Sequence, residues 1–357
     1  MSAKSSEKKS SPHLHLPLPE TVLKHHSAVL KPWMEQCLLQ NKVPPVTLFS
    51  GPMGTGLDSI AHYLAQWLLC ENKSQTPCLK CPNCLRALKG QWLDFTEIKV
   101  SDEDLESTGS LKIDQLRPLK NALGFGAYSG SYKITLIHPA ERMTPQAANS
   151  LLKILEEPPP GWVFFLTTAD VTLLLPTLVS RCQVLKFKPF PPELLLDLLE
   201  QENIPPERKI LCSTLAQGSW SKALKLASDK TWEQRENLFH FFEKPQTELG
   251  PLLEWAALET KNFELLIDQL EQVLEDLIQW TLTAETHDNN YFWKNTDGQK
   301  ALTAHAQAVT SKLGSKANAR AFWLKNADRI FRARQELQTP LNKKILIQDV
   351  LMPWLEI

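Results

Sequence analysis

Two groups of residues in this sequence have the types and spacing to do chemistry, a run of glycines and a cluster of cysteines. In "FSGPMGTGLDSIAHYL" (49–64) Gly51 and Gly56, with Gly54 between them, stand at the spacing of G-x-x-x-x-G-K-[ST], the loop that cradles a nucleoside triphosphate. Leu57 occupies the lysine position and Asp58 the hydroxyl position. In a working loop the lysine reaches the β- and γ-phosphates and the hydroxyl coordinates Mg²⁺. Leucine does neither. Asp58 places a negative charge where the phosphates would sit; the expectation is that it caps the following helix and complements its dipole. Just downstream, "CENKSQTPCLKCPNC" sets Cys70, Cys78, Cys81 and Cys84 within fifteen positions. Two overlapping C-x2-C knuckles and a fourth thiolate are the donor set of a tetrahedral structural zinc site, with Pro77 and Pro82 suited to its tight turns. Four protein ligands leave no open position for water, so the expected zinc is structural and not catalytic.

These groups need elements to hold them. "VPPVTLFSG" (43–51) is a short apolar run ending in glycine, the pattern of a buried parallel strand, and Ile60, Tyr63, Leu64, Trp67 and Leu68 form one helical stripe after it. "YKITLIH" (132–138) and "WVFFLTT" (162–168) are further strand candidates. Between them "TPQAANSLLKILEE" predicts a helix with Thr144 as N-cap and Pro145 at its first position. Strands alternating with helices predict a parallel α/β sheet covered on both faces. After "FKPFPP" (187–192) leucine-rich helical patterns take over, and Leu266, Leu270, Val273, Leu274 and Leu277 form a stripe characteristic of a core-facing helix. The expected organisation is a disordered arm over 1–20, an α/β domain over 21–187 carrying the zinc module at 70–84, a small helical domain over 188–235, and an all-helical domain over 236–357.

Composition narrows the class. The chain has 357 residues, 43% hydrophobic and 22% charged, with a formal net charge of −1. That profile is globular, and it offers no global electrostatic case for nucleic-acid binding. No apolar run reaches the roughly 18–20 residues that span a bilayer. The first stretch, "MSAKSSEKKSSPHLHLPLPE", has no apolar core for a signal peptide, lacks arginine and carries Glu7, so a cytoplasmic address with no membrane association is expected. Seven cysteines without an export signal argue against a disulfide framework.

"MTPQAANSLLKILEEPPPGWVFFLTTADVTLLLPTLVSRCQ" (143–183) resembles the bacterial clamp-loader ATPase subunits of the DNA polymerase III holoenzyme, whose signature reads "AANALLKTLEEPP" and then "LLPTIxSRCQ". The glycine loop, the inserted four-cysteine module and "KIDQLR" (112–117) occur in the family's order, and the similarity extends over about 43–225. The resemblance implies an AAA+ core, a small helical lid and a helical collar. Family members that hydrolyse ATP carry an Asp-Glu pair after the strand matching "KITLI"; here His138 and Pro139 stand at those positions, and His138 reads as a neutral polar filler. Glu141 and Arg142 match a stretch beyond the pair. With both catalytic motifs altered, the resemblance points to the non-hydrolysing member of the family, with no ATP bound productively by this chain. An active gamma/tau-like ATPase subunit is the alternative. Ser180-Arg181-Cys182 matches the family's SRC motif, whose arginine projects toward ATP held by a neighbouring subunit, so Arg181 is the expected arginine finger in trans. Cys182 reads as buried packing. "QGSWSKAL" (217–224) matches a lid segment in which Lys222 takes the nucleotide-sensing position, here read as an interface or structural residue. The implied partners are gamma/tau and delta subunits in a hetero-oligomeric ring, and through them the sliding clamp and primer-template DNA.

Overall fold

A computed structural model of the chain describes residues 17–72, 74–100, 109–243, 263–282, 293–336 and 343–355. Most of the arm expected over 1–20 lies outside the described residues. The chain forms two compact units, Met1–Leu198 with Gln217–Lys222, and Leu199–Ala216 with Ala223–Ile357.

The first unit is built on five parallel strands in the order β2-β3-β4-β1-β5. Their ranges are β1 Val46–Ser50, β2 Phe95–Lys99, β3 Lys133–His138, β4 Trp162–Thr168 and β5 Gln183–Lys186. Burial follows position in the sheet. β4 is buried along its whole length between β3 and β1, which is why its sequence is a continuous apolar run with no alternation. β2 and β5 lie at the two edges and are half exposed. They carry polar residues at alternate or successive positions, and neither was anticipated from an apolar run.

Helices α1 (Glu20–His25) and α2 (Ser27–Gln40) precede the sheet. α3 (Leu57–Leu69) follows β1, and eleven of its thirteen residues are buried, Ala61, Ala65 and Gln66 among them. The stripe read from the sequence is therefore only part of a helix surrounded by protein on nearly every side. Burying Ile60, Leu64 and Leu68 contributes roughly 1.5–3 kcal/mol each. α4 (Pro82–Leu88) belongs to the cysteine module, and α5 (Arg117–Ala122) precedes β3. α6 (Pro145–Glu156) starts as expected: Thr144 Oγ1 accepts the Ala147 N–H at 3.3 Å, with Pro145 in the first turn. α7 (Pro176–Val179) leads into β5, and α8 (Pro192–Glu200) leaves the sheet.

The second unit is helical among the described residues. α9 (Pro206–Leu215) and α10 (Trp220–Ala227) flank the turn that returns to the first unit, followed by α11 (Asp229–Glu243), α12 (Phe263–Leu282), α13 (Gln299–Leu313), α14 (Lys316–Glu336) and α15 (Lys343–Leu355). The five predicted stripe residues on α12 are fully buried. Beside them His305 packs against Phe242, Trp323 and Trp354, with ring centroids 5.0–6.0 Å away. Arg235, 2% exposed, is held by Asp297 and Asn295.

Candidate functional site

The glycine loop leaves the carboxyl end of β1, the end at which an open parallel sheet receives ligands. Gly51 N–H donates to Thr168 O at 3.2 Å, which ties the start of the loop to the end of β4. Gly54 and Gly56 take left-handed backbone angles, φ +81° and +72°. Leu57 points inward, 8% exposed, with its Cδ2 close to the position a Cβ on Gly51 would take. An apolar side chain is thus packed into the protein where a phosphate loop carries a cation. Asp58 lies in the first turn of α3, where its charge complements the dipole. It is not at the cap position, which belongs to Gly56. Thr55 is fully buried, its hydroxyl donating to Pro52 O at 2.8 Å.

Register places the other altered motif along the same edge. Ser50 pairs with Thr168, Ile137 with Leu166, and His138 with Lys99, so the loop and His138 are separated by β4 alone. His138 is 9% exposed and is not a solitary filler. Its Nε2 donates to Glu97 Oε1 at 2.6 Å, and His62 Nε2 on α3 lies 3.7 Å from the same oxygen. Burial works against the Glu97 charge, but the His138 hydrogen bond and the charges of His138, His62 and Lys99 outweigh it and hold the carboxyl below its usual range. The strand end therefore carries a carboxylate from the edge strand, enclosed by two imidazoles. Glu97 was not singled out in the sequence, because nothing in "DFTEIKV" distinguishes it from any polar residue of an edge strand. Glu141, set aside by the sequence reading, accepts the Ala169 N–H at 3.0 Å and ties the turn after β3 to the end of β4.

Arg181 stands at the end of α7, 32% exposed in its side chain. Nη1 donates to Thr177 O at 2.7 Å and Nη2 to Glu156 Oε1 at 2.6 Å, so the guanidinium is held by its own chain beside the end of α6. Ser180 donates to Thr177 O at 3.1 Å. Burial pushes the Cys182 thiol up to about 12, and its S–H donates to Leu178 O, which fits packing and excludes a ready nucleophile. Lys222 contributes its backbone N–H to Ser219 Oγ at 3.2 Å.

The four clustered cysteines converge. Cys70 ends α3, Cys81 caps α4, and all four sulfurs lie within 4.8 Å of one another. Cys78 and Cys84 sulfurs are 4.0 Å apart, against about 3.8 Å for the edge of a tetrahedron with 2.3 Å metal–sulfur bonds. Backbone N–H groups of Cys78, Cys81 and Cys84 point at the sulfurs of Cys70, Cys78 and Cys81 at 3.3–3.4 Å, the pattern that supports thiolates. The N–H groups of Lys80 and Cys81 draw the Cys78 thiol down to about 6. The donor set fits a metal ion. Pro82 lies in the second knuckle, Cys81–Cys84, where it also begins α4, and the first knuckle places Leu79 at φ +57°.

Sheet order, a glycine loop leaving β1 and a helical second unit define a phosphate-loop-like α/β unit followed by a helical one. The family model described as "DNA polymerase III, delta subunit" matches residues 26–191. DNA polymerase III subunit delta' of Bacillus subtilis is 28% identical over 274 residues, covering 74% of this chain and 81% of that protein. Subunit delta' of Haemophilus influenzae is 26% identical over 242 residues, 67% and 72% of the two chains. Subunit tau of Escherichia coli is 34% identical over 186 residues, half of this chain and 28% of that one. The chain is similar to these DNA polymerase III subunits, to delta' over about two thirds to three quarters of its length and to tau over half of it.

Proposed function

We propose that this protein is a delta'-type subunit of a DNA polymerase III clamp loader. In this reading it hydrolyses no ATP, forms a fixed wall of a hetero-oligomeric ring with gamma/tau and delta subunits, and presents Arg181 to ATP bound by a neighbour. The ring loads the sliding clamp onto primer-template DNA. Residues 188–235 serve as the lid and 236–357 as the collar that holds the neighbours. The cysteine module binds one structural zinc through Cys70, Cys78, Cys81 and Cys84.

The observation that carries the reading is the carboxyl edge of the sheet. Leu57 is packed inside at the lysine position, and His138 with Pro139 stands where hydrolysing relatives hold their acidic pair. A triphosphate at this edge would meet Leu57 and Asp58 where a phosphate loop offers its lysine and Mg²⁺-binding hydroxyl, which withdraws most of the charge stabilisation phosphoryl transfer needs. The gamma/tau reading, favoured by the 34% identity to tau, requires turnover at that same edge. The two separate in one experiment. Purified chain is expected to show no ATP turnover and no thermal stabilisation by ATP–Mg²⁺, while a ring assembled with gamma/tau and delta subunits gains clamp loading when it is added. Stabilisation or turnover by the isolated chain refutes the non-hydrolysing reading.

A further inference from the structure

The glycines of the loop retain their geometry although the residues that would serve a phosphate have changed, and what lies against Gly54 supplies a reason. The turn Gln217–Lys222 belongs to the first unit and packs directly on the loop. Trp220 N–H donates to Gly54 O at 2.8 Å. A Cβ built on Gly54 would overlap both Ser219 Oγ and Ser221 Oγ. The close approach that a glycine permits, and that a phosphate loop uses for its ligand, is taken up here by two hydroxyls of the same chain. Those hydroxyls are themselves fixed. They lie 3.3 Å from one another, and Ser219 Oγ accepts the Lys222 N–H as the cap of α10. The turn is gripped from its other side as well. Phe190 N–H donates to Gly218 O at 3.1 Å, and a Cβ on Gly218 would lie 2.9 Å from Phe190 O. Gln217, just past the C-cap Ala216 of α9, takes φ +52° and ends that helix with a left-handed turn.

We infer that the 217–222 turn is a resident plug of the glycine loop, a built-in substitute for nucleotide that keeps loop and turn locked together at all times. The inference deepens the non-hydrolysing reading and rests on it: a subunit acting as a fixed wall has to hold one conformation whether or not its neighbours carry ATP. Gly54 is kept glycine by its left-handed backbone and by Ser219 and Ser221, and not by a phosphate.

Hydrogen–deuterium exchange on the full chain tests this. In the unmodified protein the amides of 217–222, that of Trp220 above all, are expected to exchange equally slowly with and without saturating ATP–Mg²⁺ or pyrophosphate. Protection of the turn that changes with either probe makes it a lid on a working site and overturns the plug. Gly54→Ala is expected to speed exchange across 217–222 about tenfold or more, a local opening without global unfolding. The triple variant Gly54→Ala, Ser219→Gly, Ser221→Gly keeps the left-handed alanine but removes the groups it strikes, and is expected to recover most of the protection. Unchanged exchange in Gly54→Ala, or a triple variant as open as the single, overturns the proposal. Should Gly54→Ala fail to fold, the nucleotide comparison on the unmodified chain still decides. Ring turnover and clamp loading do not enter these readings, so failure of the plug is distinguishable from failure of the proposed function.

Discussion

Replacing Arg181 by alanine separates a structural arginine from one that acts on a neighbour's ATP, because the two roles differ in energy by several kcal/mol. Within its own chain Arg181 makes an ion pair with Glu156 and a hydrogen bond to Thr177 O, with side chains 32% and 53% exposed across the pair. Exposed pairs of this kind are worth about 0–1 kcal/mol. Losing about 1 kcal/mol lowers Tm by roughly 2–4 °C in a domain of this size and accounts for no more than about a fivefold change in any rate. An arginine finger contributes a factor of about 10³–10⁵ in turnover, or roughly 4–7 kcal/mol. The assay is steady-state ATP hydrolysis by a ring reconstituted with gamma/tau and delta subunits, with assembly checked by size-exclusion chromatography. Arg181→Ala is expected to assemble, melt within a few degrees of the unmodified chain, and cut turnover at the adjoining site by orders of magnitude. Arg181→Lys keeps the charge without the planar fork and is expected to recover little. Glu156→Gln loosens the hold on the guanidinium and is expected to leave turnover unchanged or raise it by up to about fivefold. A ring that turns over normally with Arg181→Ala, or one whose loss follows only from failed assembly, refutes the assignment.

Two further predictions concern the rest of the chain. Metal analysis is expected to find about one zinc per chain, with Cys84→Ser losing it and destabilising the first unit; folded protein free of zinc would remove the cysteine cluster as a metal site. Burial lowers the His305 pKa to about 4 from an ordinary 6.5, so the unfolded chain takes up a proton first as pH falls. Its contribution is complete above about pH 6.5, is lost between about 6.5 and 4, and amounts to about 3 kcal/mol, which denaturant titrations at pH 7 and pH 4.5 would register and His305→Phe would flatten.

The sequence announced what was buried on both sides and concealed what lay at edges. β4, β3 and β1 were readable because a strand enclosed by neighbours and helices has to be apolar throughout. β2 and β5 escaped because an edge strand needs only one buried face over four or five residues, too short to stand out from loop. The same limit hid Glu97, which lies on β2 and owes its role to pairing with a residue 41 positions away. Thr144 was legible as a cap because capping is local, within three residues. Asp58 misled for a related reason: its position predicted a capping side chain, but Gly56 in a left-handed conformation had already taken the turn. Ser219 and Ser221 gave no signal, since their partner Gly54 lies more than 160 residues earlier.

The two departures from a working phosphate site are one event in space although 81 residues separate them in the chain. Parallel register brings the ends of β1, β4 and β3 to one level, so Leu57, which opens the helix after β1, and His138, which ends β3, flank the same strand terminus. A lysine at 57 alone would face a strand end whose nearby carboxylate, Glu97, is already committed to His138. It would also have to emerge from a position that is 8% exposed. An acidic pair at 138–139 alone would find no hydroxyl to share Mg²⁺ and an aspartate in the first turn of α3. On the proposed reading each change removes the advantage of keeping the other residue, and the demands left on the loop are those of packing and of backbone conformation. They fall on Gly54, pressed against the 217–222 turn, and on Gly51, where a Cβ would lie 2.9 Å from Phe187 O.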